Sequence, residues 1–211
     1  MPEVPSLPVP SRPLRSGVVH SEGATPVRDV EIVAGLARGE EWAADRLYDR
    51  IQPVIDRTLR RLLRSGGADY DDLMQAVFER IIRVLTERKL SEDCDLAAWS
   101  SVVATRVALD VLRRRARENR LFCPMLGDAD RAGDLSLERH LEARSELVRM
   151  QKAVSQMRPK YAEAVVLHDL LGHDLAEVAR LTDISVAAAQ SRLVRGRKDL
   201  VRRVKQERRH V

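Results

Sequence analysis

Beyond residue 28, apolar side chains recur three and four positions apart along most of the chain, which is the spacing of amphipathic α-helices. The pattern predicts a short helix over 30–38 that stops at Gly39, and a long helix over 40–64 that Pro53 should kink or divide. A third helix begins in the acidic run 69–72, where carboxylates suit the helix dipole. Since little of the chain alternates with period two, we predict an all-α protein.

The next predicted helix, 96–117, is apolar on most sides up to Leu112 and then turns strongly basic. The following segment contains Pro124, Gly127 and Gly133 without periodicity, so it is interpreted as a flexible linker. A second helical region begins near Asp134. The sequence therefore predicts two small helical domains joined by a flexible linker: a disordered proline-rich tail over 1–28, a domain over 29–117, the linker over 118–134, a domain over 135–204 and a basic tail over 205–211.

Residues 173–200 have the spacing of a helix-turn-helix. Asp174 and Glu177 start a short helix in the manner of a capping box, and Ser185 caps a second helix that runs through residue 200. Asp183 lies in the turn, where Asp tolerates a left-handed backbone. The apolar stripe of the second helix is formed by Ala189, Leu193, Gly196 and Leu200. Its start and its other faces supply the candidate DNA contacts Ser185, Ala187, Ala188, Gln190, Ser191, Arg192, Arg195 and Lys198.

The charge of the chain favours a polyanionic partner. The formal net charge is +5 and the sequence pI is about 9.6. From residue 185 to the end, nine Lys or Arg stand against two Asp or Glu, a net charge of +7. A basic region at a helix-turn-helix indicates DNA binding. On this evidence alone, an ordinary pair of helices with a solvated basic surface remains the alternative.

The sequence has none of the GxxxxGK[ST], GxSxG or HExxH motifs of common enzymes. Cys94 and Cys123 belong to no Cys/His cluster, and His168 and His173 are spaced to face different sides of a helix. We therefore expect no catalytic residue, metal or cofactor, and no enzymatic activity. Because no apolar run suits a membrane span and the N-terminus lacks the core of a signal peptide, we expect a cytoplasmic protein without membrane insertion.

Three segments resemble motifs of the extracytoplasmic-function (ECF) sigma factors, the small initiation subunits of bacterial RNA polymerase. Asp72–Phe78, DLMQAVF, is similar to the family's D-L-x-Q-E-V-F helix. Ala98-Trp99 with Ala108–Arg114 is similar to its A-W and A-L-D-x-L-R-R segments. Gln190–Arg197, QSRLVRGR, is similar to the K-S-R-L-x-R-A-R close of its C-terminal domain. The matches occur in the family's order and span about residues 30–203.

The resemblance implies a sigma factor that binds core RNA polymerase, recognises the −10 and −35 promoter elements and assists promoter melting. Its partners would be the β′ coiled coil and the β flap of the polymerase, promoter DNA and an anti-sigma factor. The polymerase-binding residues would be Asp72, Gln75, Phe78 and Glu79. The −10 residues would be Lys89, Ser91, Trp99, Arg106, Arg113, Arg114, Arg115 and Arg117, with a flipped base near the loop 89–95. The helix-turn-helix residues named above would read the −35 element.

The chain departs from the family pattern at three informative positions. Ala76 stands where the family usually has Glu, and Arg106 where it usually has Asn. Because Arg106 lies four residues before Asp110 on one helix face, we predict an internal ion pair between them. Gly196 replaces a usual Ala within the recognition helix, which costs about 1 kcal/mol in helix propensity.

Two alternatives remain open on the sequence alone. Trp99 is spaced either to pack beside Val103 in the core or to stack on an unpaired base. The chain as a whole also fits a helix-turn-helix regulator that acts without polymerase. Such a regulator would need an effector pocket or a dimer interface in place of the motifs at 69–78 and 96–115. In vitro transcription with purified core polymerase separates these two functions.

Overall fold

In the computed structural model, residues 27–63, 69–87, 95–121 and 135–208 are described. All regular structure in these ranges is helical, as predicted. The helices are, in chain order, α1 (Asp29–Ala37), α2 (Glu41–Leu63), α3 (Asp69–Thr86), α4 (Leu96–Leu121), α5 (Leu135–Ser155), α6 (Pro159–Val165) with a π-helical turn (Val166–Leu170), α7 (Leu175–Leu181) and α8 (Val186–Arg208). We call α1–α4 the N-terminal unit and α5–α8 the C-terminal unit. Within the described ranges, no helix has both the length and the apolar character needed to cross a bilayer.

The helices of the N-terminal unit follow the sequence pattern except at Pro53 of α2 and at the end of α4. α1 ends as predicted: Gly39, which follows the C-terminal cap residue Arg38, has a φ of +74°, a left-handed conformation that glycine adopts without strain. α2 continues through Pro53 as one helix, so the chain is not divided there. α4 extends to Leu121, so residues 118–121 of the predicted linker are helical.

The apolar faces of α1–α4 meet in one core. Ile51, Ile55 and Leu59 of α2, Ile81 of α3 and Leu109 of α4 are each at most 2% exposed. Burial of one aliphatic side chain of this size contributes about 1.5–3 kcal/mol. The hydrophobic effect in this cluster is therefore a main source of the unit's stability.

Buried apolar surface also joins the two units. The cluster around α1–α4 takes in apolar side chains of the C-terminal unit, namely Met157, Ala162, Val165, Val166 and Leu193. A second cluster surrounds Val102 of α4, which is 1% exposed. The other buried members of that cluster come from the C-terminal unit: Leu167, Val178, Ala179 and Ala189. The two units therefore share a continuous packed interface.

The helix that begins at Pro159 ends in a π-helical turn. Pro159 occupies the first turn of α6, where its missing N–H costs nothing, and Gly172 stops the segment with a φ of +87°. Between them, the Leu171 N–H donates to the Val166 carbonyl at 2.9 Å, the wider spacing of a π-helix. Pro159 and Gly172 are local sequence signals for the start and the stop of a helix, whereas the π turn between them has no such signal.

The helix-turn-helix has the predicted form. The Glu177 N–H donates to Asp174 Oδ1 at 2.7 Å, which caps α7. Asp183 in the turn has a φ of +53°, the left-handed conformation expected for that position. The Ala188 N–H donates to Ser185 Oγ at 3.2 Å and so caps α8. α8 runs beyond residue 200 to Arg208, so residues 205–208 of the predicted basic tail are helical.

Candidate DNA and polymerase interfaces

One side of α8 is open to solvent and carries the predicted DNA contacts. The exposed members are Ser185, Ala187, Gln190, Ser191, Arg195 and Lys198. Ala188 and Arg192 are partly exposed at the edge of this surface. The opposite stripe, with Ala189 and Leu193, is buried at no more than 3% exposure. α8 therefore presents a small, polar and basic surface that begins at a capped helix N-terminus, which suits the phosphates and base edges of a DNA groove.

Gly196 allows α8 to lie very close to α6. A β-carbon at this position would lie 2.6 Å from Val165 Cγ2 and 2.8 Å from the Tyr161 carbonyl oxygen. Both distances are shorter than a carbon atom can approach without displacing its neighbour, and the second neighbour is backbone. The glycine that departs from the family pattern thus has a packing function that its low helix propensity alone did not indicate.

Polar contacts also position α8. Arg197 Nε donates to Asp169 Oδ2 at 2.9 Å, Arg197 Nη2 donates to Oδ1, and His168 Nδ1 lies 2.8 Å from Asp169 Oδ1. The hydrogen bonds from Arg197 hold the pKa of Asp169 below its usual range. A hydrogen bond with Arg195 lowers the pKa of the Tyr161 phenol. Asp169 lies in the π turn, and Tyr161 lies near the start of α6. Because α8 contacts both of these residues, its rotation about its own axis is limited.

The predicted polymerase-binding residues lie together on α3. Asp72, Gln75 and Glu79 are exposed, and Phe78 is half-buried between them and the core. Gln75 Nε2 donates to Glu79 Oε1 at 3.0 Å. Phe78 stacks on Tyr48 of α2, with ring centroids 5.0 Å apart and an angle of 15° between the planes. Sequence analysis did not select Tyr48, because its contact with α3 comes from the packing of two helices.

The predicted ion pair between Arg106 and Asp110 is wrong. Arg106 Nε instead donates to Oε1 of Glu163 on α6 at 2.6 Å, and Asp110 Oδ1 accepts from Arg113 Nη1 at 3.0 Å. Both charged groups of the predicted pair thus have partners, but different ones. The prediction considered spacing within one helix and did not include an acid 57 residues further along the chain.

Arg113 lies in a cleft between the two units. Its side chain is 21% exposed, and its Nη2 atom is buried with no hydrogen-bond partner among the described residues. The cleft has a volume of about 700 Å³ and is lined by Asp110, Arg113, Ala116 and Arg117 of α4 and by Ser155, Gln156, Pro159 and Arg203 of the C-terminal unit. A guanidinium nitrogen without a partner in such a position is costly, because it has lost its hydrogen bonds to water.

The other predicted −10 residues of α4 differ in their exposure. Arg114 is 77% exposed and donates to Glu118 at 2.9 Å. Arg117 is exposed and Arg115 is partly buried. Trp99 is half-buried against the N-terminal core, so at least part of its ring packs in the core, the first of the two roles that its spacing allows. Lys89 and Ser91 lie outside the described residues.

Comparisons with known proteins cover both helical units. Residues 47–118 match the family model described as Sigma-70 region 2, and residues 147–200 match Sigma-70, region 4. The sigma factor CarQ of Myxococcus xanthus is 30% identical over 165 residues, which cover 75% of this chain and 87% of CarQ. The ECF sigma factor SigM of Mycobacterium tuberculosis is 25% identical over 175 residues, which cover 82% of this chain and 83% of SigM.

A solved structure shares the fold. The structure of CnrH in complex with the cytosolic domain of CnrY superposes with a TM-score of 0.51 and 21% sequence identity, covering 84% of this chain and 97% of that chain. A helical unit followed by a helix-turn-helix with an exposed basic face is an architecture typical of DNA-binding transcription proteins. With both sigma regions matched in order, the chain belongs to the ECF sigma factors of bacterial RNA polymerase. It functions with RNA polymerase in promoter-specific transcription initiation.

Proposed function

We propose that three surfaces of this chain divide the work of initiation: α3 binds core polymerase, α4 binds the −10 element and α8 reads the −35 element. The observation that carries the proposal is the exposed basic face of α8, which starts at a capped N-terminus and is held by the contacts of Gly196 and Asp169. A rigidly held helix of this kind suits insertion into the major groove.

Reading of the −35 element would combine three kinds of contact. Arg192, Arg195 and Lys198 bind backbone phosphates, which supplies affinity but little sequence preference. Gln190 is suited to an adenine edge, and the methyl groups of Ala187 and Ala188 to thymine. Because the first turn of α8 has few hydrogen-bonding side chains, part of the specificity would come from DNA shape.

Binding of core polymerase would centre on the aromatic pair of Phe78 and Tyr48. Aromatic anchors surrounded by polar side chains are typical of the centre of a protein interface. Asp72 and Glu79 are the acidic neighbours of this anchor, which favours a basic partner surface such as the β′ coiled coil. We assign the β flap to the C-terminal unit on the family resemblance alone.

The −10 element would be bound by the arginine side chains along one side of α4 and in its C-terminal half. Arg106, Arg113, Arg114, Arg115 and Arg117 supply cations for the backbone of the partly melted strand. The accessible part of Trp99 is available to stack on a base, while the buried part keeps the ring fixed. Lys89 and Ser91, which precede α4 in the sequence and lie outside the described residues, complete this assignment as predicted contacts.

Separate binding measurements test this division. Phe78→Ala should weaken binding to core polymerase without DNA at least tenfold, since loss of a central aromatic anchor costs about 2 kcal/mol. The same variant should bind a −35 duplex as the unmodified protein does. Arg195→Ala should show the reverse pattern. Loss of both activities in either variant, with folding intact by circular dichroism, would contradict separate surfaces.

Two further assignments belong to the proposal. An anti-sigma factor is a predicted partner, in line with the family resemblance and with the structure of CnrH, which was solved in complex with the cytosolic domain of CnrY. A direct catalytic role in RNA synthesis is not proposed, since sigma factors are initiation subunits.

The alternative of a regulator without polymerase is disfavoured by the match to Sigma-70 region 2 over residues 47–118.

A further inference from the structure

The cleft between the two units is lined by more cations than acids. Its charged side chains are Asp110, Arg113 and Arg117 of α4 and Arg203 of α8. Three arginines against one aspartate give the lining a net charge of +2. The volume of about 700 Å³ lies within the range of sites that bind small molecules. The cleft therefore has the size and the charge for a small anionic ligand.

Arg113 has a hydrogen-bond donor that no acceptor in the described part of the chain satisfies. Its Nη1 donates to Asp110 Oδ1 at 3.0 Å, which orients the guanidinium, while Nη2 is buried without a partner. Such a donor costs free energy, and the cost is larger when the group is charged. An anionic oxygen bound in the cleft would remove this cost, since phosphate oxygens accept strong hydrogen bonds from a guanidinium. Asp110 is 68% exposed, so water screens its repulsion of an anion.

Two further arginines are placed to bind the same ligand. Arg117 follows Arg113 by one helical turn, is exposed, and makes no hydrogen bond or ion pair with the described residues. Arg203 reaches the cleft from α8, where its Nε donates to Asp199 and its Nη1 to Gln156, both at 3.1 Å. These two bonds hold the guanidinium in place, and its Nη2 has no acceptor among the described residues. The cleft thus has donors on both of its walls.

The spacing of these donors suits a diphosphate better than a single phosphate. Arg113 and Arg117 are four residues apart on one helix face, which separates their β-carbons by about 6 Å. Arg203 lies on a different helix, across the cleft. A ligand that all three arginines bind has to present anionic oxygens over more than one phosphate group. Ala116 and Pro159 form an apolar part of the wall, which is available to an uncharged part of the ligand.

We propose that this cleft is a binding site for a small ligand that carries a diphosphate group, with Arg113, Arg117 and Arg203 as its anion-binding residues. The bound ligand connects α4 of the N-terminal unit with α8 of the C-terminal unit. None of the candidate −35 residues of α8 lines the cleft, so the site is separate from the DNA face of that helix. The inference does not depend on the assignment of α4 to the −10 element, because binding requires no DNA.

Isothermal titration calorimetry of the full chain, without DNA or polymerase, tests the site with inorganic pyrophosphate and ADP. Both probes carry the diphosphate group and only ADP carries a nucleoside, so their comparison distinguishes a free anion from a nucleotide as the ligand. Arg113→Met and Arg117→Met remove the proposed contacts. Arg80→Met is the matched control, because Arg80 is an exposed arginine of α3 without an ion pair among the described residues and outside the cleft. Arg195→Met measures any binding to the DNA face of α8.

We expect at least one probe to bind at a single site with a Kd below about 1 mM at physiological salt. Arg113→Met should raise this Kd about tenfold or more, because it removes charge-assisted hydrogen bonds from a partly buried group. Arg117→Met should raise it about two- to fivefold, since that arginine is exposed to solvent. Arg80→Met and Arg195→Met should leave it within about twofold of the unmodified value.

Thermal unfolding gives a second measurement on the same variants. The ligand should raise the Tm of the unmodified protein and of Arg80→Met, and raise that of Arg113→Met much less, because a ligand stabilises only the folded state that binds it. If Arg113→Met does not fold, Arg117→Met decides, because an exposed arginine without a partner is not needed for folding.

Three results would overturn the proposal. The first is that neither probe binds. The second is that the cleft variants and Arg80→Met bind equally well, which would indicate a general attraction to a basic protein. The third is that only Arg195→Met weakens binding, which would place the anion on the DNA face of α8.

Discussion

α4 and α8 are both long basic helices that carry predicted promoter contacts, yet they differ in what covers them. The DNA face of α8 is open to solvent from Ala187 to Lys198. On α4, Arg106 is bound to Glu163 and Arg113 is only 21% exposed beside the C-terminal unit. The difference shows that the charge pattern of a helix identifies a surface suited to DNA, whereas tertiary neighbours decide whether that surface is accessible.

The two helices also differ in the range of their contacts. α8 is positioned within its own unit, by the close approach at Gly196 and the ion pair between Arg197 and Asp169. α4 is bound by residues from far along the chain, among them Glu163 and His173. Four predictions test this comparison: two on the buried and exposed sides of α8, one at the π turn that holds α8, and one on the buried side of α4.

The largest effect is expected on the buried side of α8. Gly196→Val should lower the free energy of unfolding by about 3 kcal/mol, because its side chain would overlap Val165 and the Tyr161 backbone. Val194→Ala, on the exposed side of the same helix, should change it by less than about 0.5 kcal/mol. Urea denaturation of both variants measures the difference. Equal stability of the two would show that α6 and α8 do not approach closely at residue 196.

On the exposed side of α8, Arg192→Ala or Arg195→Ala should weaken −35 binding about tenfold on all sequences. The slope of log affinity against log salt concentration should fall by about one, since one phosphate contact is lost. Arg202→Ala is the control, because Arg202 lies beyond the recognition segment and pairs with Asp199. Fluorescence anisotropy over a salt series gives these values. A loss confined to one DNA sequence would mean that the arginine reads a base.

The ion pair that holds α8 to the π turn should give a pH-dependent effect. Arg197 lowers the pKa of Asp169, so its carboxylate stabilises the folded state above the unfolded pKa, and this contribution is lost as pH falls through the folded pKa. Asp169→Asn should therefore cost about 1 kcal/mol at pH 7 and progressively less below about pH 4. Asp49→Asn, at an exposed site on α2, is the comparison. A cost that is the same at pH 7 and pH 3 would rule out this ion pair as its origin.

The smallest effect is expected inside the N-terminal unit. Thr105 of α4 is fully buried, and its Oγ1 has no hydrogen-bond partner in the described part of the chain. Thr105→Val should raise the free energy of unfolding by up to about 1 kcal/mol, because it removes an unsatisfied hydroxyl. Thr58→Val should lower it by about 0.5–1 kcal/mol, since Thr58 Oγ1 donates to the Val54 carbonyl at 2.8 Å. Thermal or urea unfolding would refute this contrast if both substitutions had the same sign.

Local signals predicted much of the fold and of the α8 surface. Caps at Asp174 and Ser185, the left-handed Asp183 and the stop at Gly172 all depend on residues within a few positions of one another. Such features follow from backbone preferences that one segment of sequence contains. The exposed and buried faces of α8 follow from its periodicity for the same reason.

The features that sequence analysis missed depend on contacts between distant segments. The partner of Arg106 is 57 residues away, and the stacking of Phe78 on Tyr48 needs α2 and α3 to be packed. The requirement for glycine at residue 196 is visible only when α6 lies against α8. The helix-breaking residues Pro124, Gly127 and Gly133 predict a linker, but they begin only after Leu121, and α4 continues up to that residue.

Reconstituted transcription tests the central claim most directly. Purified full-length protein is added to core RNA polymerase on a library of promoter fragments, and transcripts are mapped to their start sites. We predict start sites that depend on this protein, share −35 and −10 sequences at a fixed spacing, and disappear with Phe78→Ala although DNA binding persists. Specific DNA binding with neither polymerase association nor new start sites would contradict the account.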